Sequence, residues 1–307
     1  MKVVITGGSG LIGRALAAEL VRLGDEVVVL SRSPGRAARR LPAGAEVMAW
    51  DPSAGAAPLA RLLDGADAVI NLAGESVGRW PWTRAVRSAI RGSRMQATQA
   101  LVDAMGILPA ERRPTVLVSG SGTHMYEDLD AEPATESSPT TDDNFLASVC
   151  LDWEQAALRA RELGTRVVVL RTSLVIGRRA PALERLLLPF RLFGGGPLGS
   201  GRQWVSWVAL DDAVGLIVHA LRAWDVGGPL NVAGPEPVRQ AEFARIAGSV
   251  LRRPAWLRTP AWLIRLALGD QATLAIGSRR LVPEAALRSG YEFRVTSLEQ
   301  ALRQAAG

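Results

Sequence analysis

Three glycines near the N-terminus have the spacing of a phosphate-binding turn. They lie in TGGSGLIG, which directly follows an apolar run typical of a strand and opens an amphipathic helical pattern. The first glycine permits the tight bend, the second lets backbone N–H groups approach a pyrophosphate, and the third allows close packing of helix on strand. The helix N-terminus adds its partial positive charge. We therefore predict a βαβ unit from Lys2 to about Arg40 that binds a dinucleotide, with contacts from Gly7, Gly10, Leu11, Ile12 and Gly13.

The end of the second predicted strand indicates which dinucleotide is preferred. A site for NAD usually has an acid at this position to hold the ribose 2′-hydroxyl, whereas this sequence reads Leu30–Ser31–Arg32. Arg32 can form a charge-assisted contact with a 2′-phosphate, and Ser31 or Arg36 could assist it. We therefore predict NADP(H) as the cofactor. The alternative is a solvated arginine at the end of a strand.

Further cofactor contacts are expected at the ends of the third and fourth strands. Trp50–Asp51 ends the third strand and could flank the adenine. Asn71, Leu72, Ala73 and Gly74 end the fourth strand, at the crevice where a doubly wound sheet binds its ligand. For Asn71, a structural role that ties adjacent strand ends together is an equal alternative.

The elements that would position these residues alternate along the chain. Short β-branched runs are separated by helical patterns long enough for right-handed crossovers, which predicts an α/β fold of the Rossmann type with a doubly wound parallel sheet. We predict a cofactor-binding core over 1–175, to which part of 203–235 returns. A substrate-side region would occupy 176–253, and a small helical segment 254–307, so that the C-terminal part is smaller and mostly helical.

Composition narrows the classes of protein and partner. The single cysteine, Cys150, excludes an internal disulfide and a cysteine-built metal site, so we expect a cytoplasmic protein without a metal. The net charge of +6 would permit nucleic-acid binding, but the arginines are scattered and no recognised reading motif is present. We expect neither a nucleic-acid partner nor a membrane partner, and a small molecule as the substrate.

Several motifs resemble the extended short-chain dehydrogenases, the epimerase and dehydratase family. TGGSGLIG and NLAG are typical of the family as a whole. The motifs that are similar to its YfcH-like atypical branch cover nearly the whole chain: NLAGES (71–76), SGSGTHMYED (119–128), TESSP (135–139), DNFLASVCLDWE (143–154), GGGPLGSGRQWVSWVALDDAV (194–214), GPLNVAGPEPVRQAEFAR (228–245) and RLVPEAALRSGYEF. The resemblance implies the cofactor fold and a small C-terminal domain of unknown function. Some members of the branch carry a cell-division-inhibitor label.

The catalytic pair that the resemblance would imply is absent. Ordinary members of the superfamily use a tyrosine as acid or base and a lysine four residues later, which lowers the tyrosine pKa and holds the nicotinamide ribose. Leu146 and Cys150 occupy the matching spacing, and the only lysine is Lys2 at the start of the first strand. We therefore expect no proton relay of the usual type.

Replacements for this pair are sought at the end of the fifth strand. Ser121 or Thr123 could position a substrate hydroxyl or carbonyl. His124, where the branch usually has a small residue, could exchange a proton near neutral pH and is the predicted acid/base group. Its alternative is a hydrogen-bonded loop residue. Tyr126 is either catalytic or a structural tyrosine under the cofactor.

Two further groups of residues are assigned to the cofactor and the substrate. Thr172 and Ser173 follow the sixth strand and would bond the carboxamide of the nicotinamide if the cofactor adopts the family pose. Arg202 and Trp204 follow a glycine-rich turn and suit an anionic or planar substrate. The alternative for Trp204 is packing on a helix surface. Asp211–Asp212 precedes an apolar helical run and indicates a helix N-cap with first-turn negative charge.

Two functions remain open from the sequence. The first is an NADP(H)-dependent oxidoreductase or epimerase-like enzyme acting on a small carbonyl or sugar-type substrate. The second is a noncatalytic NADP(H)-sensing or cell-division-related regulatory protein, which the loss of the tyrosine–lysine pair favours. Trp256 and Trp262 could form the surface of a homodimer, although packing between domains is the commoner explanation for such residues.

Overall fold

The computed structural model describes residues 1–127 and 132–306. Asp128, which ends the motif SGSGTHMYED, and Gly307, the last residue of the predicted segment 254–307, lie outside this range. The strands are β1 (Lys2–Thr6), β2 (Glu26–Ser31), β3 (Ala45–Ala49), β4 (Ala68–Asn71), β5 (Val116–Gly122), β6 (Arg166–Thr172), β7 (Leu174–Ile176), β8 (Trp204–Val205), β9 (Trp207–Ala209), β10 (Gly228–Val232) and β11 (Val238–Arg239).

Helices follow most of these strands. Their bounds are α1 (Leu11–Arg22), α2 (Pro34–Ala38), α3 (Ala56–Leu63), α4 (Arg84–Ile107), α5 (Phe145–Leu158), α6 (Pro181–Arg191), α7 (Leu210–Arg222), α8 (Gln240–Leu251), α9 (Ala261–Leu268), α10 (Thr273–Ile276), α11 (Glu284–Arg288) and α12 (Leu298–Ala306). Within the described ranges, no helix combines the length and the apolar character needed to cross a bilayer.

Seven parallel strands form one sheet in the order β10-β6-β5-β4-β1-β2-β3. The strands other than the edge strand β3 are mostly buried on both faces of the sheet, as strands of a parallel sheet require when helices cover both sides. β10 lies within the 203–235 segment and pairs in parallel with β6 at the edge of the sheet. The predicted Rossmann-type architecture is confirmed.

Two apolar cores hold the sheet between its helices. On one face α1 and α7 pack against the strands, with Leu16 and Ile217 among the fully buried side chains. On the other face α3, α4 and the end of α5 do the same, with Leu59 and Leu101 buried. These helices thus cover the two faces of a sheet whose carboxyl edge is where a doubly wound fold binds its ligand.

A third core lies beside the sheet and joins the substrate-side region to the C-terminal segment. Leu187 of α6, Phe243 of α8 and Leu302 of α12 are buried in it together. Residues from 176–253 and from 254–307 therefore share one apolar cluster. Trp256 and Trp262, in contrast, are 70% and 66% exposed, so neither is covered by packing between domains.

Asp212 anchors the C-terminal segment to α7. Its fully buried carboxylate accepts hydrogen bonds from the Tyr291 hydroxyl at 3.0 Å and from the backbone N–H groups of Arg294 and Val295, each at 2.9 Å. Ala209 is the N-cap residue of α7, and Asp211 and Asp212 stand in its first turn. The predicted first-turn charge is present, but the prediction of an aspartate N-cap is wrong, because the Asp212 side chain bonds a distant segment instead.

Candidate functional site

The glycine turn is shaped by two close backbone approaches. Gly7 has a φ of +70°, and a Cβ there would lie 2.4 Å from the carbonyl oxygen of Leu72. A Cβ on Gly13 would lie 2.5 Å from the carbonyl oxygen of Gly7. Gly10 is less constrained, since its Cβ would be 3.2 Å from that oxygen. The turn therefore requires glycine at 7 and 13, where it packs between the end of β4 and the start of α1.

The N-terminus of α1 is suited to an anion. The helix begins at Leu11, and no side chain caps it at Gly10. No acidic residue stands in its first turn. The first amide N–H groups of a helix have no partner within the helix, so those of Leu11, Ile12 and Gly13 are available to an anion beside the glycine turn. This arrangement fits a pyrophosphate.

A cavity of about 220 Å³ opens at the ends of β2 and β3. Arg32, Trp50 and Asp51 line it together with apolar side chains that include Pro58 and Leu62. Arg32 is exposed at the rim, and the buried Trp50 Nε1 donor has no hydrogen-bond partner within the described ranges. An apolar wall for a base and a cation at the rim fit an adenosine with a 2′-phosphate.

Two polar side chains beside this cavity bond locally. The Asp51 carboxylate accepts hydrogen bonds from the hydroxyl and the backbone N–H of Ser53, which lower the pKa of Asp51. The Ser31 hydroxyl accepts from the backbone N–H of Ser33 at 3.1 Å. Both bonds are exposed, so they leave Ser31 and Asp51 within reach of a ligand in the cavity while fixing the adjoining loops.

Asn71 is enclosed by the protein. It is fully buried, and its Oδ1 accepts from the Thr6 hydroxyl at 2.8 Å. Its amide nitrogen donates to the hydroxyls of Thr98 at 2.8 Å and Ser119 at 3.3 Å. The side chain therefore ties β1, β4, β5 and α4 together. These bonds favour the structural alternative for Asn71, and its contact with a cofactor stays a prediction. Leu72 and Ala73 lie against the glycine turn.

The surroundings of His124 disfavour its charged form. Burial disfavours the charged imidazolium, and the positive charge of Arg279 disfavours it further, so the pKa of His124 is lowered to about 3. The ring is therefore neutral at physiological pH. The acid/base role of His124 stays a prediction that this lowered pKa disfavours. The sequence does not reveal that Arg279, far along the chain, lies beside this histidine.

Tyr126 is buried, and its hydroxyl group is bonded to side chains of β6 and β10. It is 1% exposed; its hydroxyl donates to Asn231 Oδ1 at 2.8 Å and accepts from Arg171 Nη1 at 2.9 Å. Burial raises the pKa of Tyr126 to about 12. The geometry matches the structural alternative for this tyrosine. Burial likewise raises the pKa of the Cys150 thiol, to about 11.

A buried ion pair, which the sequence did not reveal, lies next to this tyrosine. Arg171 donates from Nε and Nη2 to the two carboxylate oxygens of Glu154, at 2.9 Å each. Both side chains are 7% exposed. Burial works against the Arg171 charge, but the bonds to Glu154 raise the pKa of Arg171 above its usual range. Ser121 donates to Glu154 Oε1 at 2.8 Å, so its hydroxyl hydrogen is directed into this pair.

Glu154 follows Leu146 and Cys150 at four-residue intervals on α5. The acidic member of this ion pair therefore stands on the helix where the resemblance would place the family's catalytic pair. Two features of the sequence point to this pair. Glu154 is an acid in a mostly apolar helical pattern, and Arg171 stands near the end of a β-branched strand. Because buried charges are paired in proteins, these two residues could have been predicted to bond each other.

The hydroxyls at the end of β6 bond the sheet itself. Thr172 Oγ1 donates to the Leu170 carbonyl at 3.2 Å, and Ser173 Oγ donates to the Val232 carbonyl at 2.9 Å. Thr172 stands opposite Gly122 in the β5–β6 register. Thr123, just beyond the end of β5, is buried. These residues form the carboxyl edge of β5 and β6.

Arginine side chains surround Trp204, in the region predicted to face the substrate. The guanidinium groups of Arg239 and Arg280 lie 3.9 Å and 4.8 Å from the ring centroid of Trp204. Arg239 also donates to the backbone carbonyl of Arg202, whose own side chain is exposed. The structure thus brings Arg202 and Trp204 together, in a setting favourable to an anion or a planar group. No group of three or more histidine, cysteine, aspartate or glutamate side chains within 1–127 and 132–306 is placed to hold a metal ion.

Comparison with known proteins extends over the whole chain. Residues 3–233 match the NAD dependent epimerase/dehydratase family, and residues 259–305 match a domain of unknown function, DUF1731. The chain is 37% identical to epimerase family protein SDR39U1 homolog, chloroplastic, from Arabidopsis thaliana, with 99% of this chain and 86% of that protein covered. It is 35% identical to epimerase family protein SDR39U1 from Homo sapiens, with 99% of each covered.

The fold of this chain is also similar to a solved structure of one of these relatives. The crystal structure of human epimerase family protein SDR39U1 (isoform2) with NADPH superposes with a TM-score of 0.87 at 33% identity, and covers 100% of this chain and 99% of that one. The resemblance inferred from the motifs, including a C-terminal domain of unknown function, is confirmed. The chain belongs to the NAD dependent epimerase/dehydratase family.

Proposed function

We propose that the protein binds NADP(H) along the carboxyl edge of the sheet, from the cavity beside Arg32, across the N-terminus of α1, towards the ends of β4, β5 and β6. The observation that carries the proposal is the cavity itself, which combines an apolar wall with the exposed side chain of Arg32. The absence of an acid at the end of β2 and the presence of NADPH in the structure of the 33% identical human protein support it.

The proposed activity is hydride transfer with a small carbonyl or sugar-type substrate, as an oxidoreductase or epimerase-like enzyme. Bound NADP(H) supplies the hydride, and the chain binds and orients the reactants. Gly7 and Gly13 bring the backbone to the phosphates, and the carboxyl edge of β5 and β6 forms the floor beneath the nicotinamide. Arg202 and Trp204 face the substrate side and favour an anionic or planar group.

A noncatalytic, NADP(H)-sensing protein is the second candidate. It is favoured by the state of the expected proton-transfer groups, because His124 is neutral with a pKa lowered to about 3, and Tyr126 is buried with a pKa raised to about 12. Ser121 is bonded to Glu154. A sensor needs the cofactor contacts but no proton transfer, and these residues are used to hold the strand ends together.

A binding titration tests the proposed cofactor. Nicotinamide fluorescence would give the dissociation constants of NADPH and NADH for the wild-type protein, for Arg32→Ala and for Arg39→Ala, a matched control at the exposed end of α2. A charge-assisted hydrogen bond contributes about 1.5–3 kcal/mol, so Arg32→Ala should weaken NADPH binding about 10- to 100-fold and leave NADH nearly unchanged. An unaltered preference for NADPH in Arg32→Ala would refute the role of Arg32.

Turnover distinguishes the two candidates. The nicotinamide absorbance of NADPH would be followed with the wild-type protein over a panel of carbonyl compounds and sugar nucleotides. Consumption of NADPH that depends on one of them supports the enzyme. Tight NADPH binding with no consumption over the whole panel supports the sensor.

A further inference from the structure

The position of the family's catalytic lysine is apolar in this chain, yet a positive charge lies beside it. Leu146 and Cys150, which occupy the spacing of the tyrosine–lysine pair, are both buried on α5. The only lysine, Lys2, begins β1 at the opposite end of that strand from the glycine turn, and its ammonium donates to the Asp64 carbonyl. A cation for this part of the site must therefore come from another element.

Arg94 of α4 provides that cation. Its guanidinium lies 4.9 Å from the ring centroid of Trp153, which is less than one turn after Cys150 on α5. Its charge acts on the Cys150 thiol, where it opposes the effect of burial on the thiol pKa. Cys150 Sγ in turn lies 3.1 Å from where a Cβ would stand on Gly122, at the end of β5. Arg94 thus stands between α4, α5 and the ends of β4 and β5.

The guanidinium is held against the crevice rather than against solvent. Nη1 donates to the carbonyl oxygens of Glu75 and Ile90, at 2.9 Å each. A Cβ on Gly74 would lie 3.0 Å from Cζ and 3.2 Å from Nη2, so glycine at this position leaves the room that the guanidinium occupies. Within 1–127 and 132–306, neither Nε nor Nη2 of Arg94 forms a hydrogen bond. Arg94 therefore retains donors beside Gly74.

The location of Gly74 indicates what those donors meet. The segment that leads to it contacts the glycine turn, since a Cβ on Gly7 would stand 2.4 Å from the Leu72 carbonyl oxygen and 2.8 Å from the Ala73 nitrogen. A dinucleotide whose adenosine occupies the cavity beside Arg32 passes this turn with its pyrophosphate. Its second ribose then reaches the ends of β4 and β5, because the strand order places β4 and β5 on the other side of β1 from β2.

We propose that Arg94 binds the nicotinamide ribose of NADP(H) with its free guanidinium donors, in place of the lysine that this chain lacks. The inference rests on the proposed cofactor site. Arginine keeps its proton at any physiological pH, so Arg94 holds the ribose hydroxyls as a fixed cation and does not relay a proton. The lost lysine is thereby replaced in its binding role and not in its proton-transfer role.

Two ligands separate this contact from the rest of the site. NADPH contains the nicotinamide ribose, whereas adenosine 2′,5′-bisphosphate contains only the adenosine half with its phosphates. Arg94→Met keeps a long unbranched side chain and removes the guanidinium with its charge. We expect it to weaken NADPH binding about 10-fold or more and to leave the binding of adenosine 2′,5′-bisphosphate within about two-fold of wild type. Arg94→Lys, which restores the charge with fewer donors, should recover part of the NADPH affinity.

Arg91→Met is the matched control, because Arg91 lies one turn earlier on α4 and forms a half-exposed ion pair with Asp152. It should change the affinity for neither ligand. Wild-type NADPH affinity in Arg94→Met would overturn the inference, as would an equal loss for both ligands, which would indicate a general structural role. In both cases the proposed NADP(H) site stands. A wild-type protein that binds neither ligand would instead refute the proposed function, and the inference with it.

Discussion

Replacement of Asp212 by asparagine should destabilise the protein through the attachment of its C-terminal segment. The buried carboxylate accepts three hydrogen bonds, at 2.9–3.0 Å, from the Tyr291 hydroxyl and two backbone N–H groups. Asparagine has the same size but only one acceptor oxygen, so its NH₂ group must face a buried N–H donor. Hydrogen bonds to a charged group contribute about 1.5–3 kcal/mol each, and a buried donor left without an acceptor costs about 1–3 kcal/mol. We expect a loss of about 3–4 kcal/mol in the free energy of unfolding.

Urea or thermal unfolding measures this loss, and Asp211→Asn is the matched control. Asp211 is the exposed neighbour in the same first turn of α7, so both variants remove one negative charge near the helix N-terminus, an effect of about 0.3–1 kcal/mol. In a protein of this size a loss of 1 kcal/mol lowers the Tm by about 1.5 °C. We therefore expect a Tm lowered by about 5–6 °C in Asp212→Asn, and by no more than about 2 °C in Asp211→Asn. Equal destabilisation by the two substitutions would show that the buried hydrogen bonds are not what Asp212 contributes.

Two further predictions concern the cofactor turn and the pH dependence of stability. Gly13→Ala should abolish measurable NADPH binding, because its Cβ would stand 2.5 Å from the Gly7 carbonyl oxygen, whereas Gly10→Ala, at 3.2 Å, should retain it; equal titration curves for the two variants would contradict this. The lowered pKa of His124 means that the unfolded chain binds one more proton than the folded protein between about pH 6.5 and 3, so stability falls as the pH decreases through this window. Urea unfolding at pH 7 and pH 5 measures this effect. The free energy of unfolding should fall by about 1–2 kcal/mol less in His124→Gln than in wild type between these two pH values, and equal decreases in the two proteins would count against a neutral His124.

Features that depend on neighbouring residues in the sequence could be predicted well. The alternation of β-branched runs with helical patterns predicted the parallel sheet, because most of these runs are buried on both faces and are visible as continuous apolar stretches. The glycine turn was equally local, since strand, turn and helix are contiguous. The absence of the catalytic lysine was also evident, because the tyrosine and the lysine would stand four residues apart in one helix, where this chain has Leu146 and Cys150.

The chemistry of the site depends on residues that only the fold brings together. The pKa of His124 is set by burial and by Arg279, and neither is visible in the sequence around the histidine. Arg171 lies on β6 and Glu154 on α5, and they meet only because α5 packs against the sheet beside β6. Arg94 was not predicted for the same reason, because its neighbours Gly74 and Trp153 lie on either side of it in the sequence and on different elements.

The late position of β10 in the chain has a consequence for synthesis. β6 is paired on one side by β5, which precedes it, and on the other by β10, which follows only after α6 and α7. Until the ribosome has released residue 232, the run RVVVLRT has one unpaired edge of apolar, β-branched backbone, a form of edge that templates association between chains. A fragment ended at the predicted boundary of 175 keeps this edge permanently, so we expect it to associate more readily than the full chain.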